Sequence, residues 1–171
     1  MSTSQAPKES PINVELQREH YLLQRLVGDW IYEAAASMGP DEPPSVCEGT
    51  ESVRSLGGLW IVAEGVGAMP DGSPATTLMT LGYDPQKKRF VGSVVGSMMA
   101  NLWVYDGELD NTEKVLTLNS EGPDFAVPGK TAKYKDVIEF NTDDHRVMTS
   151  HTLGDDGQWH GFMRISYRRK K

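Results

Sequence analysis

Cysteine is almost absent from this chain: Cys47 is the only one among 171 residues. An intramolecular disulfide and a cysteine-rich zinc site are thereby excluded. Positive charge is also in short supply, with 17 Lys plus Arg against 24 Asp plus Glu and a net charge of -7 when the four histidines are neutral. With a pI of about 5.1, this argues against nucleic acid or an anionic membrane as the main partner. No uninterrupted apolar run approaches the roughly 18 residues that a membrane helix needs. Even Val91–Val104 is broken by Gly92, Ser93, Gly96, Ser97 and Asn101. Met1–Pro11 lacks the basic start and apolar core of a secretory signal, so a cytoplasmic location is expected, in keeping with a lone reduced thiol. No phosphate-binding loop, dinucleotide fingerprint or nucleophile elbow occurs.

What is present is an ordinary globular composition, 38% hydrophobic and 24% charged, long enough for one domain with its own core. Residues 1–12 are polar and rich in Ser, Pro and Gln, which predicts a disordered tail before a single domain over 13–171. Leu16, His20, Leu23 and Val27 recur at helical spacing, so a helix is expected over Val14–Val27, capped by Asn13 and ended by Gly28.

From Trp30 onward the texture becomes short β-branched and aromatic stretches. Gly57-Gly58, Asp71-Gly72, Asp84-Pro85, Asp110-Asn111, Asp143-Asp144 and Asp155-Asp156-Gly157 separate them as turns. Strands are predicted near Trp30–Ala36, Val46–Ser55, Leu59–Val66, Thr76–Tyr83, Arg89–Ser97, Leu102–Tyr105, Val115–Ser120, Tyr134–Phe140, Arg146–Leu153 and Trp159–Arg168. So many strands with short connections form an antiparallel meander, and closing such a sheet removes its edges. The expected fold is all-β, an up-and-down barrel of about eight to ten strands with one short N-terminal helix. A two-sheet sandwich is the alternative, but only Gly39–Ser45 and Gly122–Ala132 are long enough for its crossovers.

Gly28-Asp29-Trp30, placed where the helix hands over to the first strand, resembles the Gly-x-Trp signature of the calycin group, which includes lipocalins. The resemblance implies that Trp30 closes one barrel end against a basic side chain of the last strand, for which Arg164, Arg168 and Arg169 are available. A longer pattern runs His20-x-x-Leu23-x-x-Leu26-x-Gly28-x-Trp30, Gly57-Gly58-x-Trp60 with Glu64, Gly82-Tyr83-Asp84, Phe90-Val91-Gly92 and Met163-x-Ile165-x-Tyr167-x-Arg169. Over about residues 20–170 it resembles the bacterial domain-of-unknown-function family 1579, which implies a calycin-like barrel and no particular activity. Members of that family often carry a Trp and then an Asp in the stretch matching 94–96; Val94 and Gly96 stand there instead, so a role resting on that carboxylate is absent.

Three constellations bear on chemistry. A two-residue loop at Gly57-Gly58 would set Glu51 opposite Glu64, a like-charge pair needing a shared proton, a cation or a nearby Arg. A different register, or two solvent-facing carboxylates, is the plainer reading. An even loop around Asp155-Asp156 would set His151 opposite His160, a pair suited to a metal or a haem axial ligand. Yet the alternation Trp159, Gly161, Met163, Ile165, Tyr167 favours that set as the inward face, with His160 outside and no third metal ligand at a recognisable spacing. Cys47 beside Glu48 is a poor nucleophile, since a neighbouring carboxylate raises a thiol's pKa. No catalytic machinery or metal site is assembled, and no cofactor is indicated.

Small residues and methionines mingle over Phe90–Tyr105, which leaves interior space or merely lets strands coil tightly. Phe125 and Val127, on the long loop Gly122–Ala132, suit a lid over a barrel mouth, the barrel's outside or a subunit contact equally. The leading expectation is a non-enzymatic barrel that binds a small apolar or amphipathic ligand through Trp60, Val94, Met98, Trp103, Trp159 and Met163. Glu64 is the expected polar anchor, and a cavity of a few hundred cubic ångströms is required. The alternatives are an enzyme or a metal or haem site on Glu51/Glu64 or His151/His160, and a homo-oligomerisation module using Val91–Val104.

Overall fold

The structure, a computed structural model, describes residues 14–37 and 43–171. The expected tail, the Asn13 cap and much of the Gly39–Ser45 segment lie outside these residues. Helix α1 (Arg18–Gln24) is followed by β1 (Gly28–Ala36), β2 (Ser45–Leu56), β3 (Trp60–Ala68), β4 (Pro74–Asp84) and β5 (Arg89–Gly96). The chain continues through β6 (Trp103–Leu109), β7 (Val115–Pro123), β8 (Thr131–Thr142), β9 (His145–Leu153) and β10 (Trp159–Arg169). Each strand pairs antiparallel with its chain neighbours, and β1 pairs with β10, Trp30 opposite Arg169, to close the barrel. All ten predicted strands are present, and closure leaves no sheet edge to protect.

Alternation decides what fills the interior. Trp30, Ile61, Leu81, Phe90, Leu116, Leu118, Ile138, Met148, Ile165 and Tyr167 are buried on inward phases, and Leu23 and Leu26 join them from the helix segment. The helix is shorter than Val14–Val27. Gln17 caps it, donating its backbone N–H to His20 Nδ1 at 2.8 Å. That bond leaves the hydrogen on Nε2, which donates to the Tyr83 carbonyl at 3.0 Å, so the buried His20 ring ties α1 to β4. At the other end of the segment Gly28, at φ 137°, turns the chain into β1 instead of capping the helix, and a Cβ there would meet the Arg169 guanidinium.

Trp30 closes this end as the calycin resemblance implies. Its Nε1 donates to the Leu26 carbonyl at 2.9 Å, and the Arg169 guanidinium stacks over its ring at 4.3 Å. Arg169 in turn donates to the carbonyls of Val27, Arg25 and Asp143, so strand end, helix end and a hairpin turn are joined by one side chain.

Two local features shift side chains to faces that strict alternation did not predict. The β2–β3 loop holds three residues, Gly57 to Leu59, so Leu56 lies opposite Trp60 and Glu51 opposite Gly65, not Glu64. In β10 the register shifts between Gly161 and Met163, so Trp159 lies opposite Leu153 and His160 opposite Thr152. A single extra residue in a strand reverses every facing beyond it.

Candidate functional site

The inner surface carries charge at two places. On β2, Glu51 projects inward between Trp30 on β1 and Gly65 on β3, which offers no side chain beside it. Arg146, on β9, reaches across the barrel to it, donating from Nη2 to Glu51 Oε1. Along the way its guanidinium passes 4.0 Å from the Tyr167 ring and 4.3 Å from the Trp30 ring. Arg146 is 6% exposed and Glu51 9%. Burial drives the Glu51 carboxyl above its ordinary range, outweighing the opposing pull of Arg146. The same burial, with Glu51's charge next, pushes the Tyr167 hydroxyl far above its normal value. Arg146 Nη1 is buried and has no hydrogen-bond partner.

A buried ion pair costs desolvation that a well-packed apolar pair would not, and an unpaired buried N–H adds to that cost. The arrangement is therefore poorly explained by stability. It lines a cavity of about 20 Å³, walled otherwise by Leu26, Val53, Ile61, Ala63, Met79, Ile138 and Met148. Such a space is enough for a single water and falls short of the few hundred cubic ångströms expected. Tyr32 fills much of the neighbouring volume, its ring lying across Gly49 and Gly67, where any Cβ would strike its hydroxyl.

The second polar place is Asp136 on β8. It accepts from Ser150 Oγ at 2.6 Å and from the Tyr105 hydroxyl. Burial raises the Asp136 carboxyl, while these two bonds oppose the rise. Burial and the charge of Asp136 drive the Tyr105 hydroxyl well up. Unlike Arg146, Asp136 has donors for both oxygens.

Toward the end opposite α1, aromatic rings line the mouth. Trp103 stands edge-on to Tyr134 at 5.1 Å and lies 6.2 Å from Phe125, which is 5.7 Å from Tyr134. Phe162, at the β10 irregularity, also meets Tyr134, edge-on at 6.2 Å. Asp124 folds the β7–β8 loop by accepting from the Ala126 and Val127 backbone N–H groups, and Tyr134 donates to the Pro123 carbonyl at 2.6 Å. Phe125 is thus held over the mouth, the first of the three places a loop bearing it was expected to go.

The sequence-predicted ligand residues divide by face. Val94, opposite Trp103, and Met163, opposite Ala36 and Ser150, lie on inward phases near the mouth. Met98 folds against Gly96, where a Cβ would meet its sulfur, and Trp103 donates from Nε1 to Met99 Sδ at 3.1 Å. These four gather at one end. Trp60, Glu64 and Trp159 do not line the interior. Trp60 packs on the outside over Gly82. Glu64 is exposed between Ser52 and Leu78: strand alternation puts it out of phase with Ile61, Ala63 and Gly65, and the three-residue loop sets Gly65 beside the inward Glu51. Trp159 sits outside under the Lys135 ammonium at 4.4 Å, because the register shift between Gly161 and Met163 separates it from the inward phase of Met163, Ile165 and Tyr167.

The expected carboxylate and histidine pairs are not formed. Glu51 is met by Arg146 and not by Glu64. His151 lies opposite Gly161 and bonds Thr149, whereas His160 bonds Asp156. Among the described residues no three His, Cys, Asp or Glu side chains converge to hold a metal ion, and no helix is long and apolar enough to cross a membrane.

Arg146 and Asp136 were not singled out from sequence, although a signal existed for the second. In Tyr134-x-Asp136-x-Ile138-x-Phe140 a carboxylate occupies the apolar phase of a strand, and Glu51-x-Val53 repeats the pattern. Around Arg146 the phase is unreadable, since Arg146, Val147 and Met148 are all buried.

Comparison with solved structures supports the fold. The structure of Rv2717c from M. tuberculosis matches at TM-score 0.62 and 12% identity, covering 92% of this chain and all of that one. The S-type phycobiliprotein lyase CPES from Guillardia theta matches at TM-score 0.55 and 13% identity, over 91% of this chain and 99% of that one. EF1p2_mFAP2b, solved bound to DFHBI, matches at TM-score 0.51 and 12% identity, over 89% and 99%. No curated protein matches the chain. The sequence itself fits, from residue 15 to residue 169, the family described as protein of unknown function DUF1579, and the chain belongs to that family.

Proposed function

We propose that this barrel binds a small, largely apolar molecule in its interior, without catalysing a reaction on it. The observation that carries the reading is the unpartnered Nη1 of Arg146, buried beside a cavity whose other walls are mainly hydrocarbon. A buried donor without an acceptor is costly in the empty protein, and an acceptor brought by a ligand relieves that cost. The route in is the mouth, where Val94, Met98, Trp103 and Met163 gather beneath the Phe125 loop. The cavity must enlarge to accept more than a water, and the side chains beside it suit that change. Met79 and Met148 are unbranched and adaptable, and Tyr32 is only half-buried. That EF1p2_mFAP2b was solved with DFHBI bound agrees with a barrel of this shape holding a small molecule.

Native mass spectrometry of the protein purified from its own cell tests the reading. A co-purifying organic molecule at one per chain, lost in Arg146→Met, is expected. Bare protein mass, together with no saturable binding of small apolar probes, overturns it.

A second reading concerns the outer face. Leu78 and Val95 lie opposite each other on β4 and β5, and with Leu102 and Val104 they form an exposed apolar group on the outside of the barrel. This favours self-association. Sedimentation equilibrium at micromolar concentration checks it: a dimer that Val95→Glu dissociates is expected, and a monomer rejects it.

A further inference from the structure

We infer that the interior site selects an uncharged hydrogen-bond acceptor, a ketone, aldehyde or amide carbonyl on an apolar body, and discriminates against carboxylates. This rests on the binding function just proposed and adds the class of ligand.

The inference follows from charge and donor count at Arg146. Its guanidinium carries one positive charge, and Glu51 already faces it through Nη2. Other cations stand elsewhere: Arg169 is spent on the carbonyls of Val27, Arg25 and Asp143 and on a contact with Asp144. A ligand carboxylate would therefore set two anions around one buried cation, in a place where burial already opposes the single negative charge of Glu51. The interior's other carboxyl, Asp136, adds to that repulsion. What remains unsatisfied is the Nη1 amino group, a donor and not a second charge.

A carbonyl oxygen matches that need. It accepts a charge-assisted hydrogen bond from Nη1 without bringing charge into the barrel. The rest of the wall is hydrocarbon: Leu26, Val53, Ile61, Ala63, Met79 and Met148. A body without further polar groups is required, because any additional donor or acceptor would lie against apolar side chains. Tyr167 is a further group at the cavity, and burial, with the charge of Glu51 next, holds its hydroxyl well above its ordinary value, so it brings no charge to the site.

Three probes of similar size separate the outcomes: acetophenone, benzoate and ethylbenzene, titrated at pH 7 into the full chain and followed by the amide resonances of Ala63 and Gly65. Acetophenone is expected to bind about tenfold or more tightly than ethylbenzene, as befits one hydrogen bond from a charged donor. Benzoate is expected to bind more weakly than either. Glu51→Gln should reverse the order, since it leaves Arg146 uncompensated and makes benzoate the tightest ligand; a merely structural role for the pair predicts no such reversal.

If Glu51→Gln does not give a native spectrum, the double variant Glu51→Gln/Arg146→Met removes both charges, and acetophenone and ethylbenzene should then bind alike. Benzoate binding tightest to the unaltered protein overturns the ligand class while leaving the binding function standing. Equal affinity for acetophenone and ethylbenzene does the same. Absence of saturable binding by all three removes both.

Discussion

The two ends of this barrel are built on opposite terms. At the helix end directional bonds join separate parts of the chain. Trp30 donates to Leu26, His20 bridges Gln17 and Tyr83, and Arg169 joins three carbonyls across three parts of the chain. At the mouth the directional bonds of Tyr134 and Asp124 stay within the β7–β8 segment, Trp103 and Phe125 meet their neighbours through rings and sulfur, and much of the surface is open: Phe125 is 61% exposed, Val127 47% and Met98 39%. Directional bonds fix one arrangement, whereas Met and aromatic contacts allow several of similar energy. The pairing assigns rigidity to one end and adaptability to the other, and Arg146, stacked on Trp30, stands on the inner side of the rigid end. The binding function proposed above would use that division, because a fold must persist while its entrance opens.

The largest effect should come from breaking the closed end. Trp30 is 2% exposed and touches Leu26, Arg146 and Arg169 at once. Trp30→Ala should cost about 3–5 kcal/mol by the usual toll of deleting a large buried ring, with further loss from two guanidiniums deprived of their stacking partner. Urea denaturation measures it. A loss below about 1 kcal/mol, within the range of ordinary surface changes, would show that the helix end is not the clasp described above.

How much of this was legible without coordinates depended on whether a local rule or a long-range contact was at stake. Turn residues and β-branched stretches marked all ten strands, and a meander without crossovers leads directly to closure. The Gly28-Asp29-Trp30 signature placed Trp30 at a barrel end under a last-strand arginine, and Arg169 is there. Facing was legible only where the period of two ran unbroken. The three-residue loop at Gly57–Leu59 set Gly65, not Glu64, beside the inward Glu51, and the irregularity at Phe162 separated Trp159 from the inward phase of Met163. Each error is a slip of one residue that no propensity records. The partnership of Glu51 with Arg146 spans 95 positions. It arises from the barrel bringing β2 and β9 within reach across its interior, a fact of topology and not of any motif.

A smaller effect separates the two interior carboxyls from the exposed ones. Burial raises Asp136 in the folded chain above its ordinary value, so the native state holds that proton more tightly than the unfolded state does. A carboxyl shifted in this direction contributes stability that is fully present below the unfolded value, near pH 4, and is lost as pH rises through the raised native value. Asp136→Asn removes the titration and keeps an acceptor for Tyr105 or Ser150. The difference in unfolding free energy should therefore move in the variant's favour as pH increases from 4 to 7, with the change confined to the window between the two values. Unfolding curves at unit steps of pH test this, and a difference that is flat with pH would mean that Asp136 is not shifted by burial.

The smallest effect on stability should come from the mouth, where it is accompanied by the largest effect on motion. Phe125 contributes one mostly exposed ring to the contacts of Trp103 and Tyr134, so Phe125→Ala should cost less than about 1 kcal/mol. The loop also keeps its Asp124 bonds to Ala126 and Val127 in that variant. What changes is the closure over Trp103. Amide hydrogen exchange should speed up at Trp103, Val94 and Tyr134 while Leu23, Leu26 and Trp30 stay as protected as before. On the proposed binding reading, in which the aromatic lid governs passage and Arg146 governs holding, acetophenone should then associate and dissociate faster at nearly unchanged affinity. Equal acceleration at both ends would instead show that mouth and clasp open as one cooperative unit.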